Sequence, residues 1–457
     1  MSNLILKQSW LSSPPKNELK RTLTPLMLWG LGVGYVISGM YFGWNLGLQQ
    51  GGTWGLAIAT FFIIILYVTF TFSYTELACA IPRAGGGFDY AARALGKDWG
   101  FIAGMAQNIE FIFAPPAIAF AIGAYFNLFF PQLPTLVIAI FGYVIFTALN
   151  IYGVKAAAVF ELVITFLAVG ELLLFSGVAL GHFEFQNLRH NGFPYGMAGA
   201  FAATPFAIWF FLGIEGVANV AEEALNPRKT MLLGFGSAIF TLVVLCILVF
   251  ISSVGVAGWE AIVYNAPGST SDSPLPLALG HVVGANNVMY HLLITIGLFG
   301  LIASFHGLIL AAGRSTFEFG RVKFAPSFLG KIHPRFQTPS NSLLVNMVIG
   351  IIALLTEKTA EIITISVFGA LTLYIVSMIA LLRLRKKEPQ LERPFKVPMY
   401  PLFPIAALFI AVFSFVAMTV YNFKLALIYC LIVSTCYGAF KILAGKKVRT
   451  HAEPTPR

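Results

Sequence analysis

Glu110, Glu171 and Glu215 lie well inside long apolar segments of this 457-residue chain, and Glu161 lies nearer the cytoplasmic end of one. A charge at the centre of a bilayer costs about 2.5–3.5 kcal/mol on insertion scales, so such side chains are usually functional or paired. No lysine or arginine lies in the middle of any apolar segment, so the sequence offers these acids no internal cation. Protons or a cationic ligand would have to neutralise them, which favours an amine over an anion as ligand.

Each acid also has a structural interpretation. Glu110 would bond freed backbone groups, whereas Glu161 and Glu171 would be protonated and hydrogen-bonded between helices. His306, in the run Ser304-Phe305-His306-Gly307, is the only histidine deep in an apolar segment. Histidine changes charge near neutral pH, which suits proton relay, and a buried hydrogen-bonded ring is the alternative. Glu161, Glu171, Ser304 and His306 are therefore candidates for ion coupling, with Ser304 as an oxygen ligand for sodium.

Two segments carry glycine-rich interruptions at comparable depth, Ser38-Gly39-Met40-Tyr41 in the first and Gly213-Ile214-Glu215-Gly216 in the sixth. Glycine weakens a helix, and backbone groups freed inside a membrane must be satisfied by protein, water or ligand. Close packing is the alternative, because Gly30/Gly34 and Gly39/Gly43 are small-xxx-small pairs. Interruptions at matching positions of two five-helix halves are typical of a transporter with its site at an inverted-repeat interface.

The candidate substrate contacts lie at these two interruptions and on the third segment: Ser38, Gly39, Met40, Tyr41, Glu110, Phe211, Gly213, Ile214 and Glu215. An ammonium group would sit between carbonyl groups freed at the two breaks, near Glu215. Tyr41, Trp209 and Phe211 would supply aromatic walls, with plain packing as the alternative reading of these rings.

The elements that position these residues are membrane-spanning helices. Apolar and aromatic residues make up 58% of the chain and charged residues 11%, against about 25% charged in soluble domains. Twelve apolar segments are predicted as spans: 24–48, 54–80, 99–130, 134–152, 156–181, 199–222, 232–256, 286–313, 341–356, 359–382, 401–420 and 425–443. The predicted fold class is an all-α polytopic membrane protein with twelve transmembrane helices.

The domain division follows from these spans. Residues 1–23 form an N-terminal tail and 24–382 a transport core of spans 1–5 and 6–10. Residues 383–443 add a linker and spans 11 and 12, and 444–457 form a basic tail. The first twenty residues lack an apolar core, so no cleavable signal peptide is predicted.

The net charge of +10 is a topology signal. Of the 29 lysines and arginines, 26 fall on the side that holds both termini, which places both termini in the cytoplasm. Attraction to anionic lipid headgroups is sufficient to explain the basic tail, and no nucleic-acid partner is predicted. The cysteines Cys79, Cys246, Cys430 and Cys436 form no CxxC pair and are read as buried small hydrophobes, so no metal site, disulfide framework or cofactor is predicted.

Several motifs together resemble the amino acid–polyamine–organocation permeases along almost the whole chain. Span 6 reads Phe210-Phe211-Leu212-Gly213-Ile214-Glu215, followed by Glu222-Glu223 and Asn226-Pro227. The loop from Pro82 to Tyr90 is similar to the re-entrant PxxGG signature of that superfamily, "IEF" around Glu110 is similar to its LEY pattern, and Arg314 matches its arginine after span 8. Arg83, Glu222 and Glu223 are candidates for a cytoplasmic gate, or are solvated helix ends.

Within that superfamily the chain most resembles bacterial ethanolamine permeases, through the stretches 37–48, 160–175 and 301–307. The resemblance implies an inner-membrane carrier with five plus five inverted helices, two further C-terminal helices, and a small cationic amine as substrate. Two departures are informative. Ile37 replaces the first glycine of the GSGIF pattern that cradles a substrate carboxylate, and Ala168 occupies the position of the lysine found in proton-coupled relatives.

The sequence therefore predicts a secondary carrier that imports ethanolamine by alternating access, with proton symport favoured and sodium symport or exchange left open. Another amine, a polyamine or a neutral amino acid is the alternative substrate. A channel fits the paired helix breaks less well. An enzyme is disfavoured because no HExxH is present and Asp89, Asp98 and Asp272 all fall in predicted loops.

Overall fold

The computed structural model describes residues 23–83, 85–152, 157–265 and 268–450, and these are helical apart from turns, loops and two isolated β-bridges. The first seven helices are α1 (Pro25–Val36), α2 (Ser38–Tyr41), α3 (Asn45–Ala80), α4 (Gly87–Leu95), α5 (Lys97–Asn127), α6 (Thr135–Tyr152) and α7 (Ala157–Leu180). The predicted N-terminal tail and the end of the basic tail lie outside the described residues.

The rest of the chain begins with three short helices, α8 (Phe185–Arg189), α9 (Gly196–Ala202) and α10 (Thr204–Trp209), and a 3-10 helix over Ile214–Glu223. The helices that follow are α11 (Pro227–Ala257), the short α12 (Trp259–Val263), α13 (Pro274–Val283), α14 (Val288–Arg321), α15 (Ser340–Leu354), α16 (Thr359–Lys387), α17 (Leu402–Tyr421) and α18 (Phe423–Thr450).

The described residues contain nine helices long and apolar enough to cross a membrane: α3, α5, α6, α7, α11, α14, α16, α17 and α18. The three remaining predicted spans are also helical. Span 1 is divided between α1, α2 and the first turns of α3, span 6 between α9, α10 and the 3-10 helix, and span 9 is the 15-residue α15. Span 2 continues directly from span 1 through a kink at Gly52 (φ 65°, ψ −172°).

The outer helices expose large apolar side chains. Phe141 of α6, Phe409 of α17 and Leu431 of α18 are 66%, 70% and 67% exposed. Such faces suit lipid contact, because lipid tails are as apolar as these side chains. Cys430 is also exposed and Cys436 only half-buried, contrary to the expectation that all four cysteines are buried, because both lie on the outer helix α18.

The core is formed by close contact between spans 3 and 10. A Cβ atom on Gly369 of α16 would lie 2.8 Å from the backbone nitrogen of Glu110 on α5, so only glycine permits this approach. Ser366 Oγ donates to the Glu110 carbonyl oxygen at 2.8 Å. These two contacts fix the backbone that carries Glu110.

A buried ion-pair cluster ties the predicted cytoplasmic ends of spans 2 and 10 together. Glu76 is fully buried and accepts two hydrogen bonds from Arg385, at 2.7 and 2.6 Å. Arg393 lies 3.3 Å from the same carboxylate, and the Val397 amide donates to it at 2.7 Å. The segment that joins α16 to α17 is therefore held against span 2.

Candidate functional site

The chain leaves the helix of span 1 at Phe42 and Gly43. Phe42 is extended (φ −160°, ψ 174°) and Gly43 has φ 87°, a left-handed value that favours glycine. The predicted break at Ser38–Tyr41 was placed too early, since those four residues form α2. Ile37 has ordinary right-handed helical angles (φ −59°, ψ −23°), so the chain continues as helix past it.

The carbonyl groups at this break are already paired. Those of residues 40 and 42 accept hydrogen bonds from the indole N–H groups of Trp44 and Trp209 at 3.1 and 3.0 Å, and that of residue 41 accepts one from the Tyr125 hydroxyl at 3.2 Å. The expected carbonyl cradle for an ammonium group is thus occupied by aromatic donors in span 1. Trp209, predicted to line the substrate site, is the residue at the span 6 break whose indole N–H bonds the Phe42 carbonyl at the span 1 break.

The span 6 break falls where the sequence predicts it. Helix α10 ends at Trp209, and Gly213 has φ 98°, ψ −5° before the 3-10 helix begins at Ile214. Gly39 of α2 packs directly on this break, because a Cβ atom there would overlap the Trp209 carbonyl oxygen and lie 3.0 Å from Phe210 Cα. The two breaks therefore meet at Gly39.

Glycines nearer the start of span 1 serve close helix packing, the alternative to a helix break that the sequence left open. A Cβ atom on Gly30 would lie 2.8 Å from the Leu162 side chain, and one on Gly34 would lie 2.8 Å from Thr165 Oγ1. Both positions allow α1 to approach α7 closely.

The structure brings two of the predicted acids together beside the span 6 break. Glu110 and Glu215 are 0% and 1% exposed, and their charges interact with each other. Tyr374 of α16 donates a 2.8 Å hydrogen bond to Glu215 Oε2. Among the described residues, both carboxylate oxygens of Glu110 and Oε1 of Glu215 have no hydrogen-bond partner. We call Glu110 and Glu215 the acidic pair.

Aromatic groups extend from Tyr374, the donor to Glu215, on one side of the acidic pair. The hydroxyl of Tyr67 lies 3.0 Å from that of Tyr374, and the ring of Phe211 is 5.1 Å from the Tyr67 ring between centroids. Phe211 is fully buried there, and its role as an aromatic wall for a substrate stays a prediction. A polar core with aromatic sides and unused carboxylate oxygens is suited to an organic cation.

Glu171 lies apart from the acidic pair. Tyr41 donates to Glu171 Oε2 at 2.7 Å and to the Ala168 carbonyl oxygen at 3.1 Å. The two side chains line a cavity of about 10 Å³ with Tyr125 and residues of α13 and α14. A cavity of that size holds about one water molecule. Tyr41 is therefore committed to span 5 rather than to the acidic pair.

The other coupling candidates meet where spans 1, 5 and 8 touch. Ser304 Oγ donates to the Tyr35 carbonyl oxygen at 2.5 Å and lies 2.8 Å from Ser38 Oγ. Glu161 Oε2 lies 3.9 Å from His306 Nδ1, and Glu161 Oε1 has no hydrogen-bond partner in the described part of the chain. A serine cluster and a glutamate–histidine pair thus lie side by side.

Comparison with known proteins gives the family. A family model described as amino acid permease matches residues 23–437. The chain belongs to the amino acid permease family. This permease is 27% identical over 446 residues to an uncharacterized transporter of Rhizobium meliloti (strain 1021), covering 94% of the chain and 93% of that relative.

Two relatives from Bacillus subtilis (strain 168) carry names that state a substrate. The methylthioribose transporter is 29% identical, and the aligned region covers 89% of the permease and 90% of that relative. The branched-chain amino acid permease BcaP is 27% identical, with coverages of 87% and 88%. The family and these relatives establish a polytopic membrane transporter of a small organic molecule.

The predicted cytoplasmic gate of the permease contains an ion pair that the sequence does not indicate. Glu223 Oε1 lies 3.1 Å from Arg314 Nη1 of α14, and the Glu223 carbonyl accepts the Leu23 amide at 2.9 Å. The Glu222 side chain lies outside the described residues, and an ion pair for Arg83 stays a prediction. Spans 6 and 8 are therefore linked at the end of the 3-10 helix.

Sequence reasoning missed Tyr374, whose hydroxyl group contacts Glu215, and Tyr67, whose hydroxyl group contacts that of Tyr374. Their only signal was a tyrosine in the middle of an apolar segment, a pattern shared by tyrosines that merely pack. The described part of the permease holds no group of three or more His, Cys, Asp or Glu side chains that could bind a metal ion.

Proposed function

We propose that this permease is a secondary carrier that imports a small cationic amine, with ethanolamine as the best candidate, by alternating access. The observation that carries the proposal is the acidic pair with its three oxygen atoms that lack a partner among the described residues. In a membrane interior a carboxylate needs a compensating charge, and an organic ammonium supplies it.

The charge of the acidic pair also argues against a free amino acid as substrate. A substrate carboxylate beside Glu110 and Glu215 would add a third acidic group to a buried site that has no cation to balance it, which disfavours binding. Ile37 points the same way, since its branched side chain lies at a position where resemblance to amino acid carriers implies a glycine. The relatives' names cover a sugar derivative and amino acids, so family membership alone leaves the substrate open.

The aromatic groups fit the remainder of ethanolamine. Its ammonium group would bind the free oxygens of Glu110 and Glu215 next to the ring of Phe211, where cation–π contact adds about 0.5–2 kcal/mol. Its hydroxyl group would join the hydrogen-bonded hydroxyls of Tyr67 and Tyr374, which lie 3.0 Å apart. One ammonium and one hydroxyl on a two-carbon chain match this pairing of groups.

The cellular setting follows from the sequence and the family. The charge distribution supports a bacterial inner membrane with both termini in the cytoplasm. The inverted-repeat core of residues 24–382 would carry the site between its halves, with α17 and α18 outside it. Protons are proposed as the coupling ions, because titratable acids lie inside the spans.

Uptake of radiolabelled ethanolamine into proteoliposomes tests the proposal. Wild-type protein is expected to give saturable uptake, and Glu215→Gln to reduce it at least tenfold, because a hydrogen bond to a charged group contributes about 1.5–3 kcal/mol. Glu361→Gln is the matched control, since Glu361 on the same helix as Tyr374 is 47% exposed and far along α16 from it. Normal uptake by Glu215→Gln would give Glu215 a structural role.

Competition by close analogues tests the charge of the substrate. Ethylene glycol keeps the size and lacks the ammonium, and glycine keeps the ammonium and adds a carboxylate. Both are expected to compete at least tenfold more weakly than ethanolamine. Equal competition by glycine would contradict the amine assignment and indicate an amino acid as the substrate.

A further inference from the structure

The acidic pair brings two carboxyl groups into one buried site. Glu110 and Glu215 come from different spans, are almost completely buried and interact with each other. Two neighbouring carboxylates in a low-dielectric site cannot both remain ionised without a cation, because each charge loses its hydration and repels the other.

The groups that face the pair do not supply that cation. The nearest titratable groups are tyrosines: Tyr67 and Tyr74 of α3, Tyr374 of α16 and, bonded to Thr372, Tyr429 of α18. The backbone amide of Gly213 lies near Glu110 but makes no hydrogen bond of standard geometry with it. Tyr374 is the side-chain donor with a defined hydrogen bond to the pair. Hydroxyls and an amide stabilise a charge partly, but they leave its sign unchanged.

We propose that a proton and an ammonium group occupy the acidic pair in turn, one for one. This rests on the proposed function and adds the coupling mode to it. In the empty carrier both carboxyl groups carry their protons and the site is neutral. When an organic ammonium binds, the O–H bond of one carboxyl group breaks, its proton leaves to water on the side from which the amine came, and the ammonium replaces that proton's charge. The site is again neutral.

This exchange fixes the direction of coupling. One proton leaves for each ammonium that enters, so transport is electroneutral. The net result is the same as the movement of one neutral amine molecule. An acidic lumen therefore drives amine into a vesicle, whereas import into a compartment that is not acidic is driven by the inward concentration gradient of the amine itself. Symport requires a proton site apart from the amine, and the pair of Glu161 and His306, 3.9 Å apart, is the group that would serve it.

Proton release on binding is the direct test. Purified protein in weakly buffered detergent solution receives ethanolamine hydrochloride, a pH-indicator dye reports protons, and equilibrium dialysis of labelled ethanolamine reports binding. About one proton is expected to be released per ethanolamine bound. Glu161→Gln is expected to leave this ratio unchanged, whereas the double variant Glu110→Gln/Glu215→Gln loses both binding and release.

The outcomes separate the two proposals. Binding without proton release, or with proton uptake, overturns the exchange and leaves the amine carrier standing. Loss of proton release in Glu161→Gln, with binding intact, also overturns it and moves coupling to the glutamate–histidine pair. Absence of any ethanolamine binding by folded wild-type protein overturns the proposed function itself.

Gradient direction gives a second measurement. After subtraction of uptake into protein-free liposomes, an acidic lumen is expected to raise the initial rate several-fold, and a valinomycin-imposed potential to leave it unchanged. Faster uptake with an alkaline lumen, or with a negative interior, overturns the exchange.

Discussion

Replacing Gly39 by alanine tests whether the two helix breaks form one site. The added Cβ atom would overlap the carbonyl oxygen of Trp209 and lie 3.0 and 3.2 Å from the Cα and carbonyl carbon of Phe210. All three atoms are backbone, so no side chain can rotate away, and the two spans must move apart by several tenths of an ångström. Overpacking of this kind costs about 1–3 kcal/mol.

Function is expected to fall further than stability. The break in span 6 leads directly into Glu215, so a displaced backbone moves one carboxyl group of the acidic pair relative to Glu110. We expect Gly39→Ala to reduce the initial rate of ethanolamine uptake at least tenfold, with a loss of about 1–3 kcal/mol in unfolding free energy. Uptake into proteoliposomes and thermal unfolding in detergent measure the two effects separately.

Gly170→Ala is the matched control. Gly170 lies in α7, and a Cβ atom there would meet nothing within 4 Å. Alanine is the better helix former by about 1 kcal/mol, so this variant is expected to be as stable and active as wild type. Wild-type uptake and an unchanged unfolding midpoint for Gly39→Ala would refute the close approach of the breaks.

Three further predictions concern hydrogen bonds and ion pairs. Tyr374→Phe removes the donor to Glu215 and is expected to raise the KM for ethanolamine about tenfold, because a hydrogen bond to a charged group is worth about 1.5–3 kcal/mol; an unchanged KM would contradict this role. Glu76→Gln removes the buried carboxylate that Arg385 and Arg393 share and is expected to cost about 3–5 kcal/mol in chemical or thermal unfolding, whereas the exposed Glu361→Gln costs under about 1 kcal/mol. Burial raises the pKa of Asp272, in the loop before α13, to about 6. Its protonation therefore favours the folded state, so the wild-type unfolding midpoint should rise relative to Asp272→Asn as the pH falls from 7 to 5, and parallel pH profiles would exclude that contribution.

Composition and periodicity predict the spans because the bilayer imposes one strong condition on every segment. A helix that crosses it needs about 20 apolar residues, and a buried acid stands out against that background. The partnership of Glu110 and Glu215 followed in outline from their depth in spans 3 and 6. The sequence could not show that Glu161 and Glu171 lie elsewhere, because helix rotation decides which face each acid occupies.

The exact break in span 1 depended on backbone geometry. Five glycines between Gly30 and Gly43 each weaken the helix, and only packing decides which one takes a left-handed conformation. Gly43 does so, and Gly39 instead serves the contact with span 6. The Glu76 cluster was hidden for a different reason, since its partner Arg385 is 309 positions away in the chain.

Equilibrium binding of radiolabelled ethanolamine to purified protein tests the central claim most directly, namely that the acidic pair holds an organic ammonium. Wild-type protein is expected to bind one ethanolamine per chain, ethylene glycol to compete at least tenfold more weakly, and the folded double variant Glu110→Gln/Glu215→Gln to lose binding. Retention of wild-type affinity by that double variant, with its unfolding midpoint intact, would contradict the account.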